Sequence, residues 1–451
     1  MSDNKSIAGI VELDQRHVWH PFVQEQTAPP PLPVARAAGA SLFLEDGREI
    51  LDLASSWWVN VHGHCHPAIA QALGDQARTL EHVIFAGFTH APAARLAEQL
   101  VNFLPAPLSR VFYSDNGSTA VEAALKMAFQ SWRNQGERRR TLFLAFEGAY
   151  HGDTFGAMSV GRSSNFYAPF EDVLLKVRFT PFAETWLNAD GDVDAGVETR
   201  EAAALAELDA ILERDGKRVA GFIAEPLVQG ASGMRMCRPE FLRSVCERVA
   251  AQGIPVILDE VMTGFGRTGT LFAMEQAGVT PDLVCLSKGL TGGFLPLAAT
   301  VASTKVYESF LGSDFGTAFA HGHSYTANPL GCAAALASLS LFTTEGTLER
   351  IGAIREANLR WLKAAARLPG ICRPRALGSI VAVNLGLEAD YHSSLGPKLK
   401  ARFLELGLLV RPLGNVVYLM PPACITPEDL ARAHQTVLQV LRESAPLYAP
   451  R

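Results

Sequence analysis

The chain has 451 residues, 48% of them hydrophobic and 19% charged, with a formal net charge of -6. That length buries a large core and favours more than one domain, while the mildly acidic balance gives no electrostatic basis for binding nucleic acid or an anionic membrane. No apolar run approaches the roughly 20 residues that cross a bilayer, the first residues lack a secretory apolar core, and seven scattered cysteines without a C-x-x-C suit reduced thiols in a cytoplasmic protein.

Residues 1–40 are expected to be irregular, with Pro29, Pro30, Pro31 and Pro33 favouring extended backbone. Residues 41–53 read as a β-hairpin turning at Glu45-Asp46-Gly47. The run His62-Gly63-His64-Cys65-His66 looks like a metal cluster. It ends in Pro67 at the start of a helix-like stretch, so a turn with a capping histidine is favoured over zinc. From about residue 66 short apolar strands alternate with helices. Strands are expected at 110–115, 141–146, 221–226, 254–260 and 282–287. In the helix expected over 119–132, Val121, Leu125, Ala128 and Trp132 form one apolar stripe.

The acidic stretch 188–202 reads as a solvated loop. Gly264, Gly266 and Gly269 satisfy G-x-G-x-x-G, the dinucleotide pattern. However, five residues separate them from strand 254–258, and the next strand runs into Ser287 and Lys288 with no acid at its end, so a dinucleotide is disfavoured. Beyond 345 come mixed pieces, including 406–422. The expected division is a large domain, 61–344, and a small one built from 1–60 and 345–451. Strands apolar almost throughout, separated by helices, imply an α/β fold with a mostly parallel sheet covered on both faces.

Ligands of such sheets bind at the carboxyl ends of the strands. There the sequence places Asn116-Gly117-Ser118, then Tyr150, then Asp259 and finally Lys288. Each has an ordinary alternative: Ser118 as a helix N-cap, Asp259 and Glu260 as turn acids, Lys288 as a surface cation. Together they fit pyridoxal 5'-phosphate, which needs a lysine amine, an acid for its ring nitrogen and a helix N-terminus for its phosphate.

The run ILDEVMTGFGRTGTLF followed by PDLVCLSKGLTGG resembles the signature of class III, or ω-type, pyridoxal-phosphate aminotransferases. Similarity extends through DQRHVWHPF at 14–22, SSWWVNVHGHCHP at 55–67, FAGFTHAPA at 85–93, YHGDTFGAMSVG at 150–161, EPLVQGASGMRM at 225–236 and YLMPP at 418–422. Trp57 and Trp58, with the segment around His20-Pro21, favour the subgroup acting on 8-amino-7-oxononanoate in biotin synthesis over those acting on 4-aminobutyrate, ornithine or β-alanine.

The resemblance implies the fold of that class, with a seven-stranded sheet in the large domain. It implies that Lys288 carries the cofactor, Asp259 meets its ring nitrogen, Gly117 and Ser118 hold its phosphate, and Tyr150 stacks on its ring. It implies a homodimer in which His323 and Ser324 reach the partner's cofactor phosphate. It also implies a substrate pocket of Trp57, Tyr150, Asp153, Gly322 and Arg411, with S-adenosylmethionine as the amino donor and no metal. From residues alone, Trp57 would be a core aromatic and Arg411 a surface ion pair. Phe22 stands where the resemblance leads one to expect tyrosine, and His323-Ser324 where it leads one to expect Pro-Thr.

Overall fold

A computed structural model describes residues 7–162, 167–386 and 390–448. Its centre is a seven-stranded sheet of β1 (Leu108–Ser114), β2 (Leu142–Phe146), β3 (Val177–Thr180), β4 (Val219–Ala224), β5 (Val256–Asp259), β6 (Leu283–Leu286) and β7 (Ala298–Ser303), in the order β1-β7-β6-β5-β4-β2-β3. β7 runs antiparallel to both its neighbours, and the pairings of β2 through β6 are all parallel.

Side chains alternate between two buried faces, as a pleated strand requires. Phe143, Ala145, Ile257, Leu283 and Cys285 join a core beneath the helix Gly117–Asn134 (α1), whose Val121, Ala124 and Ala128 meet them. Leu144, Phe146, Leu258, Val284 and Leu286 face the opposite core. With both faces covered, near-continuous apolar strands are what the sheet demands.

A second layer is assembled from both ends of the chain. Val34–Ala38, Ser41–Leu44 and Glu49–Asp52 form an antiparallel meander whose last strand pairs in parallel with Leu408–Leu409. Ile371–Leu377, Ile380–Leu385 and Val416–Leu419 make a separate antiparallel sheet. Leu51 and Leu53 share a core with Phe403, Leu419 and Val437, so hydrophobic burial closes this layer.

Several expectations are corrected. The segment before residue 40 is not irregular throughout: Ile7–His17 is helical and Val34–Ala38 is a strand. β3 and β7 were absent from the expected set. The stretch 188–202 is a loop only as far as its middle, since a helix starts at Val197 and Glu201 is buried against Arg238 at 2.6 Å. Among the described residues no helix is long and apolar enough to cross a membrane.

Candidate active site

Parallel strands β5 and β6 pair Asp259 with Cys285, so the carboxylate ending one strand lies beside the turn that carries Lys288 just past the other. Both line a cavity of about 640 Å³, together with Gly117, Ser118, Tyr150 and Asp153. Lys288 has φ 45°, a sparsely populated backbone for a non-glycine residue, and its Nζ lies 5.3 Å from the Trp58 ring centroid. Burial pulls its pKa below the usual lysine value, against the opposing pull of Asp259 and Glu225.

Asp259 is 4% exposed. Its Oδ2 meets His151 Nδ1 at 2.7 Å and its Oδ1 accepts the Val261 N–H at 3.0 Å. His151 Nε2 is buried without a partner among the described residues. No arginine or lysine pairs with Asp259 among the described residues; its ionisable partner is His151.

At the end of β1 the helix α1 is capped by Asn116, whose side chain accepts the Thr119 N–H at 3.1 Å while Thr119 Oγ1 accepts the Asn116 N–H. Ser118 is therefore not the cap; its Oγ accepts the Asp153 N–H at 3.3 Å. The N–H groups of Gly117 and Ser118 have no partner among the described residues. They open into the cavity at the positive end of an 18-residue helix. The cradle is tight: a Cβ at Gly152, where φ is +123°, would overlap Ser118.

Tyr150 Oη donates to Asp153 Oδ2 at 2.9 Å, and burial followed by Asp153 pushes its phenol pKa up. The Tyr150 N–H donates to Glu225 Oε2 at 3.0 Å. Glu225 lines the cavity and burial raises its pKa to about 7. His151 and Glu225 were not among the expected site residues. Glu225 directly follows β4, the position by which Asp259 had been recognised.

Trp57 and Trp58 diverge. Ser55, Ser56 and Trp58 all have positive φ, so the turn sends adjacent rings apart. Trp58 is 4% exposed, lines the cavity and donates Nε1–H to Tyr418 Oη at 2.8 Å. Trp57, 39% exposed, lies outside that lining, 5.6 Å from the Phe22 ring. The Arg411 guanidinium stacks on Trp57 at 4.6 Å and donates to Tyr391 Oη at 3.3 Å. Arg411 forms no ion pair among the described residues. Phe22 and Tyr391 line a second hollow of about 570 Å³.

Gly322, His323 and Ser324 are not brought to the cavity of their own chain. They lie in an exposed loop before the helix Pro329–Thr344, with His323 Nδ1 accepting the Tyr325 N–H.

The histidine run separates rather than converging. His62 contacts Ser338 at 3.2 Å, His64 contacts Asp52 at 2.9 Å, and His66 contacts Glu345 at 3.2 Å. Burial, then His66 and Arg267, pull His62 down to about 3. His66 occupies the N-cap position of Pro67–Thr79 but its side chain makes no cap hydrogen bond, which corrects the expected capping histidine. Among the described residues no cluster has the makings of a metal site. The glycine-rich run holds Arg267, buried at 2% exposure, whose guanidinium donates to Ser55 Oγ and to the carbonyls of Trp58, Asn60 and Pro421.

The family model for aminotransferase class III matches residues 22–441. A relative from Synechococcus elongatus named adenosylmethionine-8-amino-7-oxononanoate aminotransferase is 52% identical over 95% of this chain and 99% of its own. One of the same name from Geobacter sulfurreducens is 40% identical over 93% of this chain and 94% of its own. Among solved structures, the enzyme of that name from Methanocaldococcus jannaschii superposes with a TM-score of 0.89 at 33% identity, covering 96% of this chain and 98% of that one. A Vibrio fluvialis aminotransferase, solved in its PMP-bound form, gives 0.89 at 26% identity over 97% and 98%. A lysine and an acid at adjoining strand ends, a helix N-terminus left open, and these matches agree: the chain belongs to the class III aminotransferases.

Proposed function

We propose that this aminotransferase converts 8-amino-7-oxononanoate to 7,8-diaminononanoate in biotin synthesis, with S-adenosylmethionine as amino donor. The observation that carries the reading is Lys288 beside Asp259 in one cavity, in a chain that matches relatives named for that reaction over more than nine-tenths of its length.

The cofactor is pyridoxal 5'-phosphate, and the residues fit it: two N–H groups without a partner among the described residues for a phosphate, a buried carboxylate oriented by His151 for a ring nitrogen, and an amine lowered in pKa. Bound there, it supplies a carbon that takes up the amino group and a ring that draws electrons from the donor's α-carbon. Gly117 and Ser118 hold the phosphate against the positive helix end. Asp259 keeps a proton on the ring nitrogen, and His151 fixes the carboxylate's direction. Tyr150, tied through its backbone to Glu225 and through its hydroxyl to Asp153, presents its ring face. Lys288 anchors the cofactor at rest. With the cofactor bound, the Lys288 amine would accept the proton from the donor's α-carbon and deliver it to the cofactor's reacting carbon, first as base and then as acid. The donor reacts first and the oxononanoate second, in ping-pong order.

Arg411, with no carboxylate partner among the described residues, suits the terminal carboxylate of the oxononanoate, and Trp57 beneath it suits the alkyl chain. The exposed loop with Gly322, His323 and Ser324 suits a partner subunit's site. The surface around it leaves Phe315 78% and Tyr325 64% exposed, as an interface between two copies would require. All seven cysteines are unpaired, in keeping with a reducing cytoplasm.

The decisive experiment is product analysis with 8-amino-7-oxononanoate and a panel of donors. Formation of 7,8-diaminononanoate with S-adenosylmethionine is expected. Turnover confined to 4-aminobutyrate or ornithine, with none of the oxononanoate, sinks the proposal.

The cradle gives a second expected result. Gly152→Ala forces both a clash with Ser118 and an unfavourable φ, together about 1–3 kcal/mol. Cofactor affinity should drop roughly tenfold to hundredfold, read by titrating the apoprotein with pyridoxal phosphate.

A further inference from the structure

Arg375 is 1% exposed and the largest of the fully buried side chains, yet it forms no ion pair among the described residues. Glu184, the acid that acts on it electrostatically, is paired instead with Arg373 at 2.9 Å and Arg235 at 3.7 Å. Its guanidinium is spent on backbone carbonyls. Nε donates to Met234 O at 2.7 Å, Nη1 to Arg373 O at 2.5 Å, and Nη2 to Gly233 O. Burying such a cation is costly unless its donors are satisfied. Removing it from water pulls its pKa down to about 10.

Two of these carbonyls, those of Gly233 and Met234, belong to a strained turn. Leu227 has φ 65° and Met234 φ 54°, and the N–H groups of Gly233 and Met234 both donate back to Gly230 O. That turn packs behind two side chains of the active-site cavity. A Cβ on Gly230 would stand 3.1 Å from Met262 Cε and 3.2 Å from Trp58 Cζ3, two side chains that line the cavity. The Gly230 N–H donates to Glu225 Oε1 at 3.0 Å, the same carboxylate that accepts the Tyr150 N–H. Ser232 Oγ donates to Gly148 O, at the foot of the loop carrying Tyr150, His151 and Asp153.

Arg375 itself sits on the strand Ile371–Leu377, in the layer that also carries Arg411. We propose that Arg375 is a positioning residue for transamination: through the Gly230–Met234 turn it registers the C-terminal layer against the cavity wall and the Glu225–Tyr150 contact. This rests on the aminotransferase reading and assigns to the reaction a residue that touches neither substrate nor cofactor.

The test compares Arg375→Lys, Gly230→Ala and Asn358→Ala. Asn358 bridges Ser379 O and His434 within the same layer, away from the turn, and serves as the control for stability loss. In Arg375→Lys holoenzyme, kcat should fall about tenfold or more, because small displacements of a positioned group are costly. The pH midpoint of the cofactor's absorption should also shift. In the apoprotein, amide exchange should rise at 225–236 and 148–153 together. Gly230→Ala, which presses on Trp58 and Met262 without touching Arg375, should repeat the spectral shift, and it decides the matter if Arg375→Lys does not fold.

Asn358→Ala should lower Tm alone. The proposal is overturned if Arg375→Lys keeps wild-type kcat, midpoint and exchange, if Gly230→Ala leaves the midpoint unmoved, or if Asn358→Ala reproduces all the changes. A wild-type chain that fails to bind pyridoxal phosphate would instead sink the functional reading.

Discussion

Lys288→Ala should lower kcat by about 10⁴-fold, the upper end of what a positioned proton-transfer group contributes, while pyridoxal phosphate still binds through the Gly117–Ser118 helix end. The two effects separate because the amine and the phosphate cradle come from different strand ends. Added alkylamines should restore part of the rate, since the cavity would hold a void where the side chain had been. The measurement is single-turnover bleaching of the yellow chromophore by the donor. Full turnover in the variant would remove Lys288 from the mechanism.

Asp259→Asn is the second large effect. The amide keeps the shape and can still meet His151, but it cannot balance a positive ring nitrogen. A unit charge pair near 4 Å is worth about 4 kcal/mol at an effective dielectric of 20. At 1.36 kcal/mol per tenfold, its loss lowers the rate of α-proton removal by roughly 10³-fold. Because Asp259 also accepts the Val261 N–H at 3.0 Å, only a modest fall in Tm should accompany it. The paired measurement of rate and Tm distinguishes a lost charge from a damaged strand end. A fall of less than tenfold with Tm unchanged would mean that the carboxylate charge does not serve the ring.

The residues that were legible in sequence share one property: each ends a strand whose apolar run marks it as buried. That rule exposes Asp259, Lys288 and the Gly117–Ser118 helix start, and applied evenly it also reaches Glu225, which follows Ala224 directly. β7 stayed hidden because AATVAS is too short in side chain to look like a strand. It is one because it lies between β1 and β6, where small residues fit against α1; Thr300 Oγ1 donates to Ala120 O at 2.8 Å. β3 has only four residues, and Arg178 turns outward to Asp215.

Other features were set by tertiary partners far along the chain. The three histidines look like a metal set only while Asp52, Ser338 and Glu345 are out of view. The glycine-rich run suggests a nucleotide until Arg267 is seen plugging the turn that presents both tryptophans. Neighbouring tryptophans read as one feature in sequence. Three positive φ values within four residues make them two, one in the cavity and one under Arg411.

The pairing of Glu49–Asp52 with Leu408–Leu409 sets a clock on the ribosome. At the usual 5–20 residues per second, translation leaves the early strand without its partner for roughly 20–70 s. During that interval the nascent chain exposes an open sheet edge just ahead of the Trp57 turn. Asp259 and Lys288 are translated well before that edge is sealed, so the layer that carries Trp57 and Arg411 closes only after both have been made.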